Sequence, residues 1–323
     1  MRSMEDVAKI EALIESLCNN NPSVDKNIPK YLYHFSDIEN IIGILESGYL
    51  YSRNYAIEKE LMKNDNANQN VIKITDDQHK NYVRLYFRPR TPTQYHNEGI
   101  KSEYRDYEVE GHSPIPIFLL FSSKKMLSRE DTKFVGKNLA LKPVIKNTID
   151  DLLKFDFEKI FHNGPIGGDR DIIEKRHAEV LINEKCDLAN LELIVVRSSA
   201  EKETLINLLI DKNINLDLDI KILTDGRNIV YNKSRAYIDY VELNENYFKI
   251  GFTNFSTLTE NDIIKLQLRD KENIVSKKVK AIECISGKKF KLENERDSYE
   301  LCIYVNHKLV YLGRYLKETN LPF

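Results

Sequence analysis

Apolar residues recur along this chain with two different periods. Met4, Val7, Ile10, Leu13, Ile14 and Leu17 fall at helical spacing and predict an amphipathic first helix, ended by the run NNNPS at 19–23. A short strand, YLYHF (31–35), follows. Ser36-Asp37-Ile38-Glu39 then reads as a capping box for a helix that buries Ile38, Ile41, Ile42 and Leu45 and stops at Gly48. Residues 54–80 are polar, rich in Asn and Lys, and read as an irregular or mobile insertion. Strand patterns return in NYVRLYF (81–87), which runs directly into RPRTPTQY, and in PIPIFLLFSS (114–123), apolar enough to be buried on both faces. Ile149, Leu152 and Leu153 share one side of a helix predicted at 148–155. The Gly-rich loop HNGPIGGDRD (162–171) precedes a strand at 178–182, and LELIVV (191–196) is another. Ser198 and Glu201 fit a second capping box, for a helix ending near Asp211.

Past residue 215 the period becomes two. Ile264, Leu266 and Leu268 alternate with Lys265, Gln267 and Arg269, and short strands recur between polar turns: AYIDYVEL, YFKIGF, IIKLQL, VKAIECI, KFKLE, YELCIYV and KLVYLGRYL. This texture predicts two units, residues 1–214 and an all-β sandwich or partial barrel over 215–323.

Charge changes the picture little. In 323 residues, 48 Lys and Arg nearly balance 50 Asp and Glu, so any site for a polyanion must be a local patch. Lys277, Lys278, Lys280, Lys288, Lys289 and Lys291 form one such cluster, although a solvated sheet edge that resists strand pairing explains them as well. The four cysteines, Cys18, Cys186, Cys284 and Cys302, lack metal-ligand spacing and read as reduced thiols, so no metal is expected. The N-terminus mixes acids and bases, unlike a signal peptide, and no stretch is apolar for long enough to span a bilayer. A cytoplasmic protein with no membrane partner is expected.

Four features could carry chemistry. His34 ends a strand just before a capped helix, whose free N–H groups suit an anion. In RLYFRPRTPTQY, Arg84, Arg88 and Arg90 lie among Tyr86, Phe87 and Tyr95, a mixture able to grip phosphate and stack on a ring. The 162–171 loop could approach a phosphate or a base closely, but it matches no dinucleotide or P-loop pattern. Glu179, the fourth, stands in "EKRHAEVLI" with Ala178 and Val180 on either side. A carboxylate buried there is costly unless it meets donors or a developing positive charge.

Taken in order, YHFSDIENIIGILESGYLYSRN, YVRLYFRPRTPTQY, IFLLFSS, RHAEVLI and LELIVVRSSAE resemble the DarT family of nucleic-acid ADP-ribosyltransferases, over about residues 28–210. The resemblance implies an α+β fold: a split, twisted ADP-ribosyltransferase β core with peripheral helices, to which this chain adds its C-terminal all-β module. It implies transfer of ADP-ribose from NAD, consumed as co-substrate, to a base of single-stranded DNA or of RNA, by a toxin or anti-phage effector with a cognate antitoxin. His34 and Ser36 would hold NAD, with Tyr86 and Phe87 by the nicotinamide and Arg90 at the phosphates. Arg88, Tyr95, Arg170, Arg176 and His177 would face the nucleic acid. Glu179 would be the catalytic glutamate, and Arg53, the one arginine between His34 and Arg84, would be the family's catalytic arginine. Two other readings stay open at this point: the same fold acting on protein side chains, and a binding module without turnover.

Overall fold

The computed structural model describes residues 1–20, 26–63, 76–104, 111–222, 230–253, 257–270, 273–281 and 287–317. Its first part runs α1 (Met4–Asn20), β1 (Tyr31–Asp37), α2 (Ile38–Ser47), β2 (Tyr49–Tyr51), α3 (Arg53–Glu58), β3 (Tyr82–Tyr86), α4 (Pro92–Asn97), β4 (Pro116–Ser122) and α5 (Ser123–Leu127). It continues through β5 (Lys133–Val135), α6 (Ile149–Leu152), α7 (Phe157–Ile160), α8 (Arg170–Lys175), β6 (Glu179–Asn183), β7 (Lys185–Asp187), β8 (Leu191–Val196), α9 (Ser199–Asp211) and β9 (Ile220–Ile222).

Seven of these strands form one sheet in the order β5-β6-β3-β1-β4-β8-β9, with β2 and β7 paired beside it. All seven residues of β4 are buried, as its unbroken apolar run requires of a central strand. The sheet is nearly divided in two. β1 pairs with β4 along its whole length, from Tyr31 opposite Ser122 to Asp37 opposite Pro116, yet meets β3 in register at Tyr33 and Tyr86 alone. That parting of β1 from β3 is the expected split core.

Local details depart from the sequence pattern in ways that have physical causes. β1 extends through Ser36, so the α2 cap is Asp37, whose carboxylate accepts from the Glu39 N–H at 3.3 Å; the Ser36 hydroxyl accepts from Asn40 instead. Ile38, Ile41, Ile42 and Leu45 are buried as expected, and Gly48 closes the helix in the left-handed conformation. Ser198 does cap α9, accepting from the Glu201 N–H at 3.2 Å. The Glu201 carboxylate reaches past Ser198 to Arg197, accepting from its backbone N–H at 2.9 Å and from its guanidinium Nε at 2.9 Å. The helix expected at 148–155 shortens to the single turn of α6. In the polar 54–80 stretch, α3 occupies the start, and residues 64–75 lie outside the described residues.

The β-rich part comprises β10 (Tyr237–Leu243), β11 (Tyr247–Thr253), β12 (Ile263–Arg269), β13 (Ile274–Lys280), β14 (Lys289–Lys291), β15 (Ser298–Val305) and β16 (Lys308–Leu316). They form a three-stranded sheet, β10-β11-β14, and a four-stranded one, β13-β12-β15-β16, around a second core. β13 lies upstream of the strand expected from VKAIECI, part of which is outside the described residues. It is an edge strand with Val279 its one buried side chain, so Lys277, Lys278 and Lys280 have the solvated-edge character considered above. Tyr299 and Tyr311 are core residues of this part.

The large sheet does not stop at residue 214. β9 adds to it parallel to β8, and Val230 and Tyr231 pack in the first core, whereas Ala236 packs in the second.

Candidate active site

Strand register assembles the site. Tyr33 faces Tyr86, Tyr86 faces Glu179, and Glu179 faces Val135 on the far side. Directly opposed residues share a sheet face, and Arg84 joins that face two residues from Tyr86. Glu179 opens β6 in the body of the sheet and is 2 % exposed. One of its oxygens, Oε2, is buried without a hydrogen-bond partner, while Oε1 lies 3.9 Å from the Arg84 guanidinium. Burial pushes the Glu179 carboxyl above the ordinary glutamate range, against the pull of Arg84 and of the Tyr86 hydroxyl. Burial and the neighbouring Glu179 charge likewise push the Tyr86 hydroxyl up, and Thr93 of α4 hydrogen-bonds to it.

Alternation alone would put His34 on the other face from Glu179. It stands, however, where β1 and β3 part, and its Nδ1 lies 3.2 Å from the Arg84 carbonyl, an acceptor that the interrupted ladder leaves open. A carbonyl can only accept, so Nδ1 carries the proton. Burial lowers the His34 pKa, which keeps the ring neutral and leaves Nε2 as an acceptor. His34 and Glu179 thus converge on Arg84, one on its backbone and the other on its side chain.

Other expected site residues are placed differently. Phe87 is buried in an aromatic cluster, edge-on to Phe155 and Phe157. The ring beside Tyr86 is Phe35, stacked at 6.4 Å between centroids. Arg88 is 5 % exposed and its guanidinium donates to the carbonyls of Pro89, Ile160 and His162. Burial, then the neighbouring Arg176 and Arg90, lower its pKa to about 9. An arginine committed in this way fastens a loop and is not displayed to a polyanion. Arg176 does similar work from the C-terminal end of α8, donating to His162 Nδ1 at 2.8 Å and to the Gly164 carbonyl at 2.9 Å. His177 is buried, with Nδ1 3.0 Å from the Ile173 carbonyl. Arg170, by contrast, is exposed at the start of α8, and Tyr95 is half exposed on α4.

Arg90 holds a left-handed backbone, φ 57°, and its N–H donates to Gln94 Oε1 at 2.6 Å. Arg53 begins α3. The preceding Ser52 N–H donates to the Glu184 carbonyl, just past the far end of β6 and roughly 17 Å along the strand from Glu179. Arg84 therefore stands beside the carboxylate. The sequence showed it only as one of three clustered arginines, and what distinguishes it is a strand pairing that no local pattern reveals. Among the described residues no group of His, Cys, Asp and Glu could hold a metal, and no helix is long and apolar enough to cross a membrane.

Whether this site fits NAD can be asked of the atoms. Arg84 and Tyr86 of β3 join three features: a buried carboxylate oxygen without a donor, a neutral imidazole acceptor and the paired rings of Phe35 and Tyr86. Ribose hydroxyls would satisfy the first two, and a nicotinamide ring would lie against the third. Comparison with known proteins agrees. The model of the family described as "ssDNA thymidine ADP-ribosyltransferase, DarT" matches residues 33–263, a longer span than the sequence resemblance covered, reaching into the β-rich part. No curated protein sequence matches the chain. Among solved structures, a Thermus sp. 2.9 DarT in complex with ADP-ribosylated ssDNA superposes with a TM-score of 0.51 at 20 % identity, over 61 % of this chain and 95 % of that one, and so shares its fold. The same Thermus protein in complex with NAD+ gives 0.48 at 22 % identity over 61 % and 96 % of the two chains. A Thermosipho africanus DarTG in complex with ADP-ribose gives 0.48 at 15 % identity over 67 % and 54 %. With its split sheet, its strand-borne glutamate and most of its length matched, the chain belongs to the DarT family of ADP-ribosyltransferases, which transfer ADP-ribose from NAD to a base of nucleic acid.

Proposed function

We propose that this chain modifies thymidine in single-stranded DNA, with Glu179 as the catalytic carboxylate. The observation that carries the reading is the buried Glu179 Oε2 without a partner, beside Arg84 and Tyr86. Native structures rarely leave such an atom unsatisfied, and functional sites are where the exceptions gather. The family's description names thymidine in ssDNA, and the Thermus relative was solved with ADP-ribosylated ssDNA.

NAD supplies a ribose whose bond to nicotinamide breaks with positive charge developing on the sugar, as in glycoside cleavage. The Glu179 carboxylate accepts from a ribose hydroxyl, and its negative charge stabilises the developing positive one. Because little else satisfies that charge, the interaction is stronger in the transition state than in the ground state. Arg84 opposes the effect of burial and so favours the ionised carboxylate. Neutral His34 accepts a ribose hydroxyl at Nε2, Ser36 stands two residues along β1 on the same side, and Phe35 with Tyr86 forms the wall for the nicotinamide. Arg90 serves the phosphates. Arg170 and Tyr95, both exposed, face the DNA, with Arg88, Arg176 and His177 shaping the 160–177 wall behind them. As the new bond to the base forms, the Glu179 carboxylate takes the proton that the thymidine ring nitrogen gives up, and comparison of Arg53→Ala with Arg84→Ala in the transfer step separates the two arginines as candidates for the family's catalytic arginine.

The catalytic unit in this reading ends after Tyr231, later than the boundary at 214 that the sequence texture suggests, because β9 and Tyr231 complete its sheet and core. We also propose an antitoxin that blocks the enzyme or removes its mark, and action in the cytoplasm, where the free Cys18, Cys186 and Cys302 stay reduced.

The experiment is transfer from labelled NAD to single-stranded oligonucleotides with and without thymidine, to RNA and to protein, using wild type and Glu179→Ala. Label on thymidine-containing DNA alone, lost in the variant, is expected. Label on RNA or protein alone, or undiminished transfer by Glu179→Ala, refutes the acceptor or the residue respectively.

A further inference from the structure

Behind the site wall lies a second buried polar cluster. Glu98, just after α4, is wholly buried, and its carboxylate accepts from Gln94 Nε2 at 2.8 Å, the Asn232 N–H at 2.9 Å, Asn232 Nδ2 at 3.2 Å and the Lys233 N–H at 2.8 Å. The Arg197 guanidinium lies 3.9 Å away and is itself bound to Glu201 and to the Pro114 carbonyl. Four of these donors come from α4 and the connector leading to β10. Donors in this number offset the cost of removing a carboxylate from water, so the connector's amides are fixed wherever Glu98 is fixed.

Gln94 ties this cluster to the site. It is wholly buried, and it spends all three of its near contacts at once: Nε2 donates to Glu98 and, at 2.7 Å, to the Val230 carbonyl, while Oε1 accepts the Arg90 N–H. That last bond holds residue 90 in a left-handed conformation uncommon for a non-glycine residue. The neighbouring Thr93 hydrogen-bonds to Tyr86, which touches Glu179. The connector presses on the same helix from outside. Arg235 donates to the Tyr95 carbonyl, and the Ile100 N–H donates to the Ala236 carbonyl at 2.8 Å. Gly99 permits that approach, since a Cβ there would lie 2.7 Å from the Arg235 Cβ.

We propose that Gln94 and Glu98 are positioning residues for the transfer reaction, coupling the connector 230–236, and with it the β module, to the placement of Arg90 at the NAD phosphates. The inference rests on the assignment of Arg90 to NAD. Gln94 touches no reacting atom and acts through the backbone of residue 90. Arg90 grips phosphates equally in ground and transition states, so loss of its placement raises KM for NAD and leaves kcat unchanged.

The test is a double-mutant cycle on the full chain, reading KM for NAD and kcat for Arg90→Ala, Gln94→Leu and the double variant. Each single variant is expected to raise KM about tenfold with kcat within about twofold, and the double to be no worse than Arg90→Ala alone. Singles that multiply to about a hundredfold would show that Gln94 acts independently of Arg90, which overturns the proposal. A normal KM for Gln94→Leu, with Arg90→Ala impaired, overturns it while leaving Arg90 in its role. A normal KM for Arg90→Ala overturns both. Where Gln94→Leu does not fold, Arg235→Ala loosens the same connector; a raised KM that Arg90→Ala masks is expected, and a KM unchanged from wild type rejects the coupling. A merely structural role would lower thermal stability without this dependence on Arg90.

Discussion

Glu179 and Glu98 are both buried carboxylates beside an arginine 3.9 Å away, and the fold surrounds them in opposite ways. Glu98 accepts from two side chains and two backbone amides. Glu179 has one oxygen without a donor. A satisfied charge in a low-dielectric interior holds its neighbours in place, and an unsatisfied one is held in place by them. In the function proposed above, the strength withheld from Glu179 in the resting protein is available when charge develops in front of it. Buried acidity alone therefore does not distinguish the two glutamates; the count of donors does.

The largest expected effect tests the unsatisfied partner. Glu179→Ala should lower the transfer rate by about a thousandfold, the scale of losing one preorganised electrostatic group. Glu179→Gln should be equally inactive yet more stable at neutral pH. The folded carboxyl is pushed above its unfolded pKa, so the stability it contributes is present below the unfolded value and lost as pH rises through the folded one. Calorimetry should show a rise in Tm of about 2–4 °C per kcal/mol relieved, a gap that closes in acid. Equal Tm values at all pH would mean that Glu179 is not desolvated as described.

Glu98→Gln should do the reverse. An amide cannot accept from four donors, and breaking a buried charged cluster costs about 3 kcal/mol, seen as a marked fall in Tm. A Tm like that of wild type would remove the contrast between the two glutamates. Next in size, Arg84→Ala should lower kcat/KM about tenfold, as expected for one charge-assisted contact. It should also move the acid limb of the pH profile upward, because the guanidinium opposes the effect of burial on Glu179. An acid limb left where it was would mean that Arg84 does not tune the carboxylate. The smallest effect belongs to charges exposed on an edge strand. Lys277→Glu with Lys278→Glu on the edge strand β13 should leave NAD turnover unchanged and shift stability by no more than about 0.5 kcal/mol. A large loss of DNA labelling in that variant would make the edge a substrate contact.

The burial of Glu179 was legible in the sequence because its neighbours on both parities are apolar, and an acid in such company is expensive wherever the strand lies. The place of His34 in β1 ahead of a capped helix was legible too, but its contact with the Arg84 carbonyl was not. The fate of the arginines was not. Arg84, Arg88 and Arg90 stand within seven residues, and what separates them is tertiary: a strand pairing for Arg84, carbonyls 72 and 74 residues away for Arg88, and a left-handed turn for Arg90. The cap of α2 was misplaced by one residue because Ser36 and Asp37 are both good caps, and the length of β1 decides between them. Glu98 gave no signal, since an acid after a short helix ordinarily faces water.

Tyr231 carries one more consequence. Its hydroxyl lies 2.9 Å from the Pro116 carbonyl and 2.6 Å from that of Val195, inside the large sheet, while residues 232 and 233 fill the Glu98 carboxylate. The seam between the two halves of the molecule is thus not where the chain passes from one to the other. A recombination event that exchanged everything after the last catalytic helix would carry off part of the enzyme's interior. Viable shuffling of this β module among relatives should instead leave its breakpoints beyond residue 236, so the architecture limits which descendants the gene can have.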